Sequence, residues 1–328
     1  MASLRLIFAI CVSAFSAARV LGADPAVAEA ADRQIPEPRG YYVLQSGRGN
    51  ELVSDKLLTS PFLEGVVLRR RWRDVQPAAE KFDWGYLDRE IGRAKVHGKK
   101  VQILIFTGAD APDWLYVAGA RPLKFFDPRK GFGWFTMPVP WDDVMLTHYE
   151  KLMAALGRRY DAEGAITLVH VGGPTRLSLE FHLPREVSEL DDWAPDRLLG
   201  AWDRSIRATA AAFPHKNIAL NVSKVFHGSD GMAPSIAKRG VEILGRRATL
   251  QHDALAAKTA PGFPTHSLIS EFGRRGCRIG FEMLSESGEQ RFGGEFRSAV
   301  EIGRAAGAQY LNIYAADAPL LTAPYQAY

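Results

Sequence analysis

Cysteine is scarce in this chain: 328 residues hold two, Cys11 and Cys277. With the N-terminal segment removed, Cys277 stands alone and no intramolecular disulfide can form, so stability has to come from a buried core. Charge of one sign is also in short supply. Lys and Arg number 41 against 37 Asp and Glu, a formal +4, too small and too dispersed to mark a nucleic-acid surface. A long apolar run is missing as well, since the N-terminal one, residues 6–15, is short and Arg19 stops it from extending, which argues against a membrane span. Arg5 before that run and Ser16, Ala17, Ala18, Gly22 and Ala23 after it fit a cleaved export signal over residues 1–23. The expectation is a secreted or periplasmic protein with no stable membrane insertion after cleavage. Its charge falls to about +2, because Arg5 and Arg19 leave with the signal. Residues 24–38, rich in Ala, Pro and charge, read as a flexible lead-in.

What the chain does have is 47% hydrophobic residues, enough for one large core over residues 39–328. Eight short runs rich in Val, Ile, Leu and Tyr occupy 41–46, 65–72, 100–107, 166–171, 217–222, 248–252, 278–283 and 309–314. Between them, apolar residues at three and four spacing predict helices, as in Leu87, Ile91 and Ala94, Leu146, Met153 and Leu156, or Leu198, Trp202 and Ile206. Gly98, Gly157, Gly245, Gly276 and Gly307 precede the next strand and read as left-handed helix stops. Ala219, Leu250, Phe281 and Asn312 recur at 31-residue steps, one strand–helix unit each. Alternating strands and helices imply parallel pairing. An open doubly wound sheet would carry a glycine-rich phosphate loop after its first strand, and Ser46-Gly47-Arg48-Gly49-Asn50 has neither the Gly-x-Gly-x-x-Gly spacing nor a Lys-Ser/Thr ending. The predicted fold is therefore α/β, a closed (β/α)8 TIM barrel.

In such a barrel the chemistry sits where the strands end. The run Arg278-Ile279-Gly280-Phe281-Glu282-Met283 reaches that rim on a carboxylate, Glu282, with Glu286 and Glu289 following in the loop. Two connections are longer than the fold requires, 108–141 after the third run and 172–193 after the fourth. The first holds Trp114, Tyr116, Phe125, Phe126, Phe132, Trp134, Phe135 and Trp141. Most such rings bury as a satellite core, but one or two exposed as flat platforms would suit the C–H faces of sugars.

The stretch Gly65-Val66-Val67-Leu68-Arg69-Arg70-Arg71-Trp72-Arg73-Asp74-Val75-Gln76-Pro77, followed by Phe82-Asp83-Trp84, resembles the second barrel unit of the clan A glycoside hydrolases, nearest their β-galactosidase-type (family 42-like) members. Ala111-Pro112-Asp113-Trp114-Leu115 is similar to the Pro-x-Trp-Leu segment after their third strand, while Gln76 stands where the family has a glutamate. The resemblance covers mainly residues 65–116. It implies a retaining hydrolase acting on a carbohydrate, with no cofactor, an acid/base glutamate ending the fourth strand and a nucleophilic glutamate ending the seventh. Glu282 falls on the seventh run. The fourth departs from the pattern: Val169-His170-Val171-Gly172-Gly173-Pro174 has no carboxylate, and the next one is Glu180, with His182 close by. A glycine-rich exit can fold that loop back over the barrel mouth.

Arg69 and Arg71 share a strand face by period-two alternation, and a cation there is expected to keep Glu282 ionised. Trp72, Trp114, His182, His252, Asn312 and Tyr314 complete the expected sugar-binding set. A metal is not expected. Although His170, His182, His252 and Asp253 are possible rim ligands, Tyr41-Tyr42-Val43-Leu44-Gln45-Ser46 lacks the His-x-His of metal-dependent barrel hydrolases. Gly-x-Ser-x-Gly, the nucleophile elbow of esterases, is absent too. The alternative to a glycosidase is a carbohydrate-binding barrel that kept its aromatic cleft after losing the fourth-strand acid.

Overall fold

The computed structural model describes residues 35–45, 51–128, 133–176, 179–226, 231–260 and 262–327. The expected export signal, and the lead-in before residue 35, lie outside the described residues. Ile35–Tyr328 forms one unit. Its strands are β1 (Gly40–Leu44), β2 (Leu63–Arg71), β3 (Lys100–Phe106), β4 (Pro122–Asp127), β5 (Gly133–Pro138), β6 (Ile166–His170), β7 (Asn217–Asn221), β8 (Ala248–Leu255), β9 (Arg278–Met283) and β10 (Tyr310–Tyr314). Eight of them close into a parallel barrel in the order β1, β10, β9, β8, β7, β6, β3, β2, and β4 with β5 forms a separate antiparallel hairpin. This is a (β/α)8 barrel.

Among the described residues, six helices of ten or more residues wrap the outside: α1 (Gly85–Val96), α2 (Asp143–Tyr160), α3 (Pro195–Ala212), α4 (Met232–Leu244), α5 (Pro264–Arg274) and α6 (Phe296–Ala305). Each buries the stripe its three-and-four spacing predicts, such as Leu198, Trp202 and Ile206 on α3. Gly98, Gly245, Gly276 and Gly307 do take positive φ at or just past helix ends. Gly157 does not. It sits inside α2, where a Cβ would come within 2.1 Å of the Ala212 carbonyl oxygen, so glycine serves there to let α2 and α3 approach.

The barrel interior follows from the register. Tyr42 pairs with Asn312, and Asn312 with Glu282; Asn221 pairs with Gln251, and Gln251 with Gly280. These residues point inward together, because paired residues on neighbouring strands share a face. Tyr42, Leu44, Val67, Leu104, Phe106, Leu168, Ala219 and Tyr310 make the apolar part of this inner layer. Gly280 makes room in it: a Cβ there would lie 2.2 Å from the Tyr310 ring.

Candidate active site

At the strand ends three carboxylates gather. Glu282 is the penultimate residue of β9, is 8% exposed, and has the Arg69 guanidinium 3.8 Å away, Nη1 to Oε1. Asp253 comes from β8. The ladder is regular to His252↔Phe281, then slips before Leu255↔Met283, and such a bulge re-aims a side chain at a strand end. Asp253 accepts hydrogen bonds from Gln251 Nε2 at 2.7 Å and from Asn221 Nδ2 at 2.7 and 2.9 Å.

Glu180 arrives by the loop after β6. That loop runs back to β7, where Glu180 forms a parallel bridge with Asn221 and the Phe181 amide donates to the Asn221 carbonyl at 3.2 Å. The Leu183 amide then donates to the Val225 carbonyl at 2.7 Å. Leu179, Phe181 and Leu183 are buried while Glu180 and His182 are half-buried, the alternation of an added strand. A β-bridge thus puts a carboxylate beside the mouth although the fourth barrel strand itself ends in none. Thr107 Oγ1 braces the exit, 2.7 Å from the Gly173 carbonyl oxygen and 3.1 Å from Thr175 Oγ1.

Electrostatics tie the group together. Burial pushes the Glu282 carboxyl up to about 8; the charges of Asp253 and Glu180 add to the rise, and Arg69 opposes it. The expectation that a neighbouring cation keeps Glu282 ionised is therefore overturned. Arg69 is in place, but lost solvation and two like charges outweigh one guanidinium beyond hydrogen-bond distance. Asp253 is also raised, again by burial first, with its hydrogen bonds to Gln251 and Asn221 and the charge of Arg69 pulling the other way. The Tyr314 hydroxyl is held above the usual phenol range by burial and then by Glu282, which places it at the same mouth.

Beneath lies a polar layer. Gln251 Oε1 accepts from Tyr310 Oη at 2.7 Å and Asn312 Nδ2 at 3.2 Å. Asn312 Nδ2 also reaches Gln102 Oε1 at 3.0 Å, and His170 Nδ1 lies 2.8 Å from Asn221 Oδ1. Burial lowers His170 to about 4, so it stays neutral at ordinary pH.

Several expected binding residues are placed elsewhere. Trp72 is fully buried, donating from Nε1 to Gln76 Oε1 at 2.8 Å and meeting Trp114 and Tyr149 edge-on. Trp114 is half-buried in the same cluster, bonded to the Gln76 carbonyl at 2.9 Å and packed on His148. Both hold the loop to the barrel rather than line the mouth. His252 points outward, between Phe281 and Phe263, because Gln251 and Asp253 take the inward positions. Asn312 is wholly buried in the polar layer below the rim. Arg71 lies one inward position beyond Arg69, 3.9 Å from Asp110 and 4.0 Å from Asp74, and is not paired with Glu282. Of the aromatic loop, Trp134 and Phe126 are the exposed large rings, a cross-strand pair on the hairpin; Phe132 lies outside the described residues.

Fold and site together define a (β/α)8 barrel with a carboxylate cluster at the strand ends. Residues 67–199, about two-fifths of the chain, match the Glyco_hydro_42 family model, described as beta-galactosidase. Among solved structures, the catalytic domain of beta-amylase from Paenibacillus polymyxa is 14% identical, with a TM-score of 0.64 over 88% of this chain and 94% of that one. A structure described as a glycoside hydrolase is 11% identical, at 0.51 over 85% and 86%. Endo-glycoceramidase II from Rhodococcus sp., as a lactosyl-enzyme intermediate, is 15% identical at 0.50 over 86% and 73%. At these identities the structures speak for the fold. No curated protein matches the chain. The family match bears out the resemblance to the clan A glycoside hydrolase superfamily and supports a glycosidase. Among the described residues no helix is long and apolar enough to cross a membrane.

Proposed function

We propose that the barrel hydrolyses a β-linked glycoside with retention, Glu282 acting as nucleophile and Glu180 as acid/base. The observation that carries this reading is that the bridge of Glu180 to Asn221 brings a second carboxylate to the strand ends, where its charge acts on Glu282. In the double displacement, Glu282 attacks the anomeric carbon while Glu180 protonates the leaving oxygen. Glu180 then takes a proton from the water that releases the sugar. Arg69 stabilises Glu282 once it is ionised, and Tyr314, which feels the Glu282 charge, together with His182, two residues after Glu180 on the added strand, offers polar groups to hold hydroxyls. Because the resting enzyme keeps a proton on Glu282 up to about pH 8, attack requires that proton to leave, and kcat/KM rises with pH toward that value.

The same raised pKa favours a second reading, in which Glu282 is the proton donor and Glu180 the base or nucleophile; kcat/KM then falls as pH passes about 8. A screen of aryl β-glycosides with wild type and Glu282→Gln tests the site, and NMR of the first-formed anomer tests retention. Azide added to Glu282→Gly separates the roles, since a lost nucleophile yields a glycosyl azide of inverted configuration. Activity retained by Glu282→Gln removes the assignment. Binding of the same sugars by both proteins without hydrolysis identifies a carbohydrate-binding barrel instead. We also infer export on a leader over residues 1–23, with 24–38 as lead-in and 39–328 as catalytic domain; N-terminal sequencing of the mature protein checks the cleavage.

A further inference from the structure

Between the end of β2 and the hairpin is a cavity of about 490 Å³ lined by Arg71, Arg73, Asp110, Tyr116, Trp134 and Phe135, among others. We propose that it is a second sugar subsite, for a neutral pyranose of the same substrate chain whose neighbouring unit sits at Glu282, so that the enzyme acts on oligosaccharides. The proposal rests on the glycosidase reading and adds the substrate class.

Continuity with the mouth is the first argument. Arg69 faces Glu282 at 3.8 Å, and Arg71 is the next residue on the same face of β2, about 7 Å further out at the rise of a strand. A chain of sugars anchored at Glu282 and leaving the barrel along β2 meets Arg71 and then the cavity. The second argument is the platform. Trp134 is 72% exposed although it is among the largest apolar side chains. Its Phe126 partner across the hairpin, 5.6 Å away, supports the ring. An indole held in water in this way presents a flat apolar face of the kind that C–H faces of sugars cover.

Polar chemistry decides what kind of sugar fits. Arg73 is engaged by the Ala109 carbonyl and by Asp110. Arg71 is not engaged in that way: its Nε is buried and has no hydrogen-bond partner among the described residues, and its nearest carboxylate oxygens stand at 3.9 and 4.0 Å, beyond bonding range. A buried donor without an acceptor costs about 1–3 kcal/mol, which a ligand hydroxyl relieves. Asp110 and Asp113 balance Arg71 and Arg73 in the lining. With donors and acceptors both present and no net charge, hydroxyls suit the site better than a carboxylate or an ammonium group. The hairpin is also braced against the loop that carries Glu180, through the buried Asp127–Arg176 ion pair at 3.1 Å, so platform and active site are held on one frame.

The test compares an aryl β-monoglycoside with β-linked cello-, xylo- and galacto-oligosaccharides of two to four units. Trp134→Ala is expected to lower kcat/KM about ten-fold more for the longest substrate than for the monoglycoside, since about 1.4 kcal/mol of binding is a factor of ten. Arg71→Met is expected to show the same length dependence, and Val96→Ala, exposed far from the cavity, none. A loss independent of chain length, or no loss at all, overturns the subsite. Uronate oligosaccharides bound more tightly than neutral ones overturn its neutral character. If wild type hydrolyses none of these substrates, calorimetry on Glu282→Gln reads the subsite alone: affinity that grows with chain length and falls in Trp134→Ala upholds it, and length-independent affinity removes it.

Discussion

Replacing Glu282 with Gln is expected to abolish hydrolysis and, above neutral pH, to make the protein more stable. Burial holds the carboxyl near pKa 8 in the folded state against 4.5 for the free group. Above pH 4.5 the unfolded chain has given up that proton and the folded chain has not, so the folded state binds more protons and stability falls as pH rises. The contribution is complete below 4.5 and is lost between 4.5 and 8. At pH 8 the loss is roughly 4 kcal/mol, from 1.36 kcal/mol per pKa unit over the interval. Gln cannot ionise and keeps the shape, so Glu282→Gln escapes this penalty. With about 2 cal/mol/K of unfolding entropy per residue over some 290 residues, 4 kcal/mol corresponds to about 6 °C in Tm. Thermal unfolding by circular dichroism, run on both proteins at pH 4 and pH 8, measures the difference. The expected result is near-equal Tm at pH 4 and a mutant more stable by several degrees at pH 8. A constant difference at both values, or a mutant less stable at pH 8, refutes the argument that desolvation rules this carboxyl.

Asp253→Asn removes the largest charge contribution to that rise; the limb of the pH–rate profile that reports Glu282 is expected to move to lower pH, read from kcat/KM between pH 4 and 9. Arg69→Met takes away the opposing cation and is expected to move the same limb upward, with a loss of activity on every substrate. Gly280→Ala drives a methyl into the Tyr310 ring, 2.2 Å from its nearest atom, and overpacking of this kind costs about 1–3 kcal/mol, measurable by urea denaturation.

Much of the barrel can be read in the sequence because parallel strands buried on both faces are near-continuous apolar runs, and all eight expected runs lie on barrel strands. The seventh of them puts Glu282 at the mouth. The hairpin was harder to see, because Pro122-Leu123-Lys124-Phe125-Phe126-Asp127 alternates over only six residues and its buried acid, Asp127, interrupts the apolar pattern. Trp72 and Trp114 look like ligand platforms in sequence, but their partners His148 and Tyr149 come from α2, a contact no local pattern encodes. His252 and Asp253 exchange standing for a simpler reason: with Gln251 inward, period two sends His252 out and Asp253 in. That parity was legible. The bulge after His252 and the Asn221 amide that fix Asp253 depend on the closed barrel and were not.

The mouth gathers three carboxyls around Arg69, and the way each is solvated decides where a proton rests. Asp253 receives three N–H contacts from Gln251 and Asn221, and hydrogen bonds to a charged form favour it. Glu282 has the Arg69 guanidinium at 3.8 Å, beyond hydrogen-bond distance. Glu180, half-buried on its added strand, keeps access to water. Burial raises both Glu282 and Asp253; hydrogen bonds oppose the rise at Asp253, and at Glu282 the charge of Asp253 adds to it. The orientation spreads downward. Asn221 gives its amide to Asp253, so its Oδ1 is what His170 meets; Gln251 gives its amide to the same carboxylate, so its Oε1 is what Tyr310 and Asn312 meet. A residue one strand away from the proposed nucleophile thus sets both its protonation and the donor direction of the polar layer beneath it. Asp253→Asn should then disturb the pH profile more than the affinity for sugar, whereas a residue that only held hydroxyls would do the reverse.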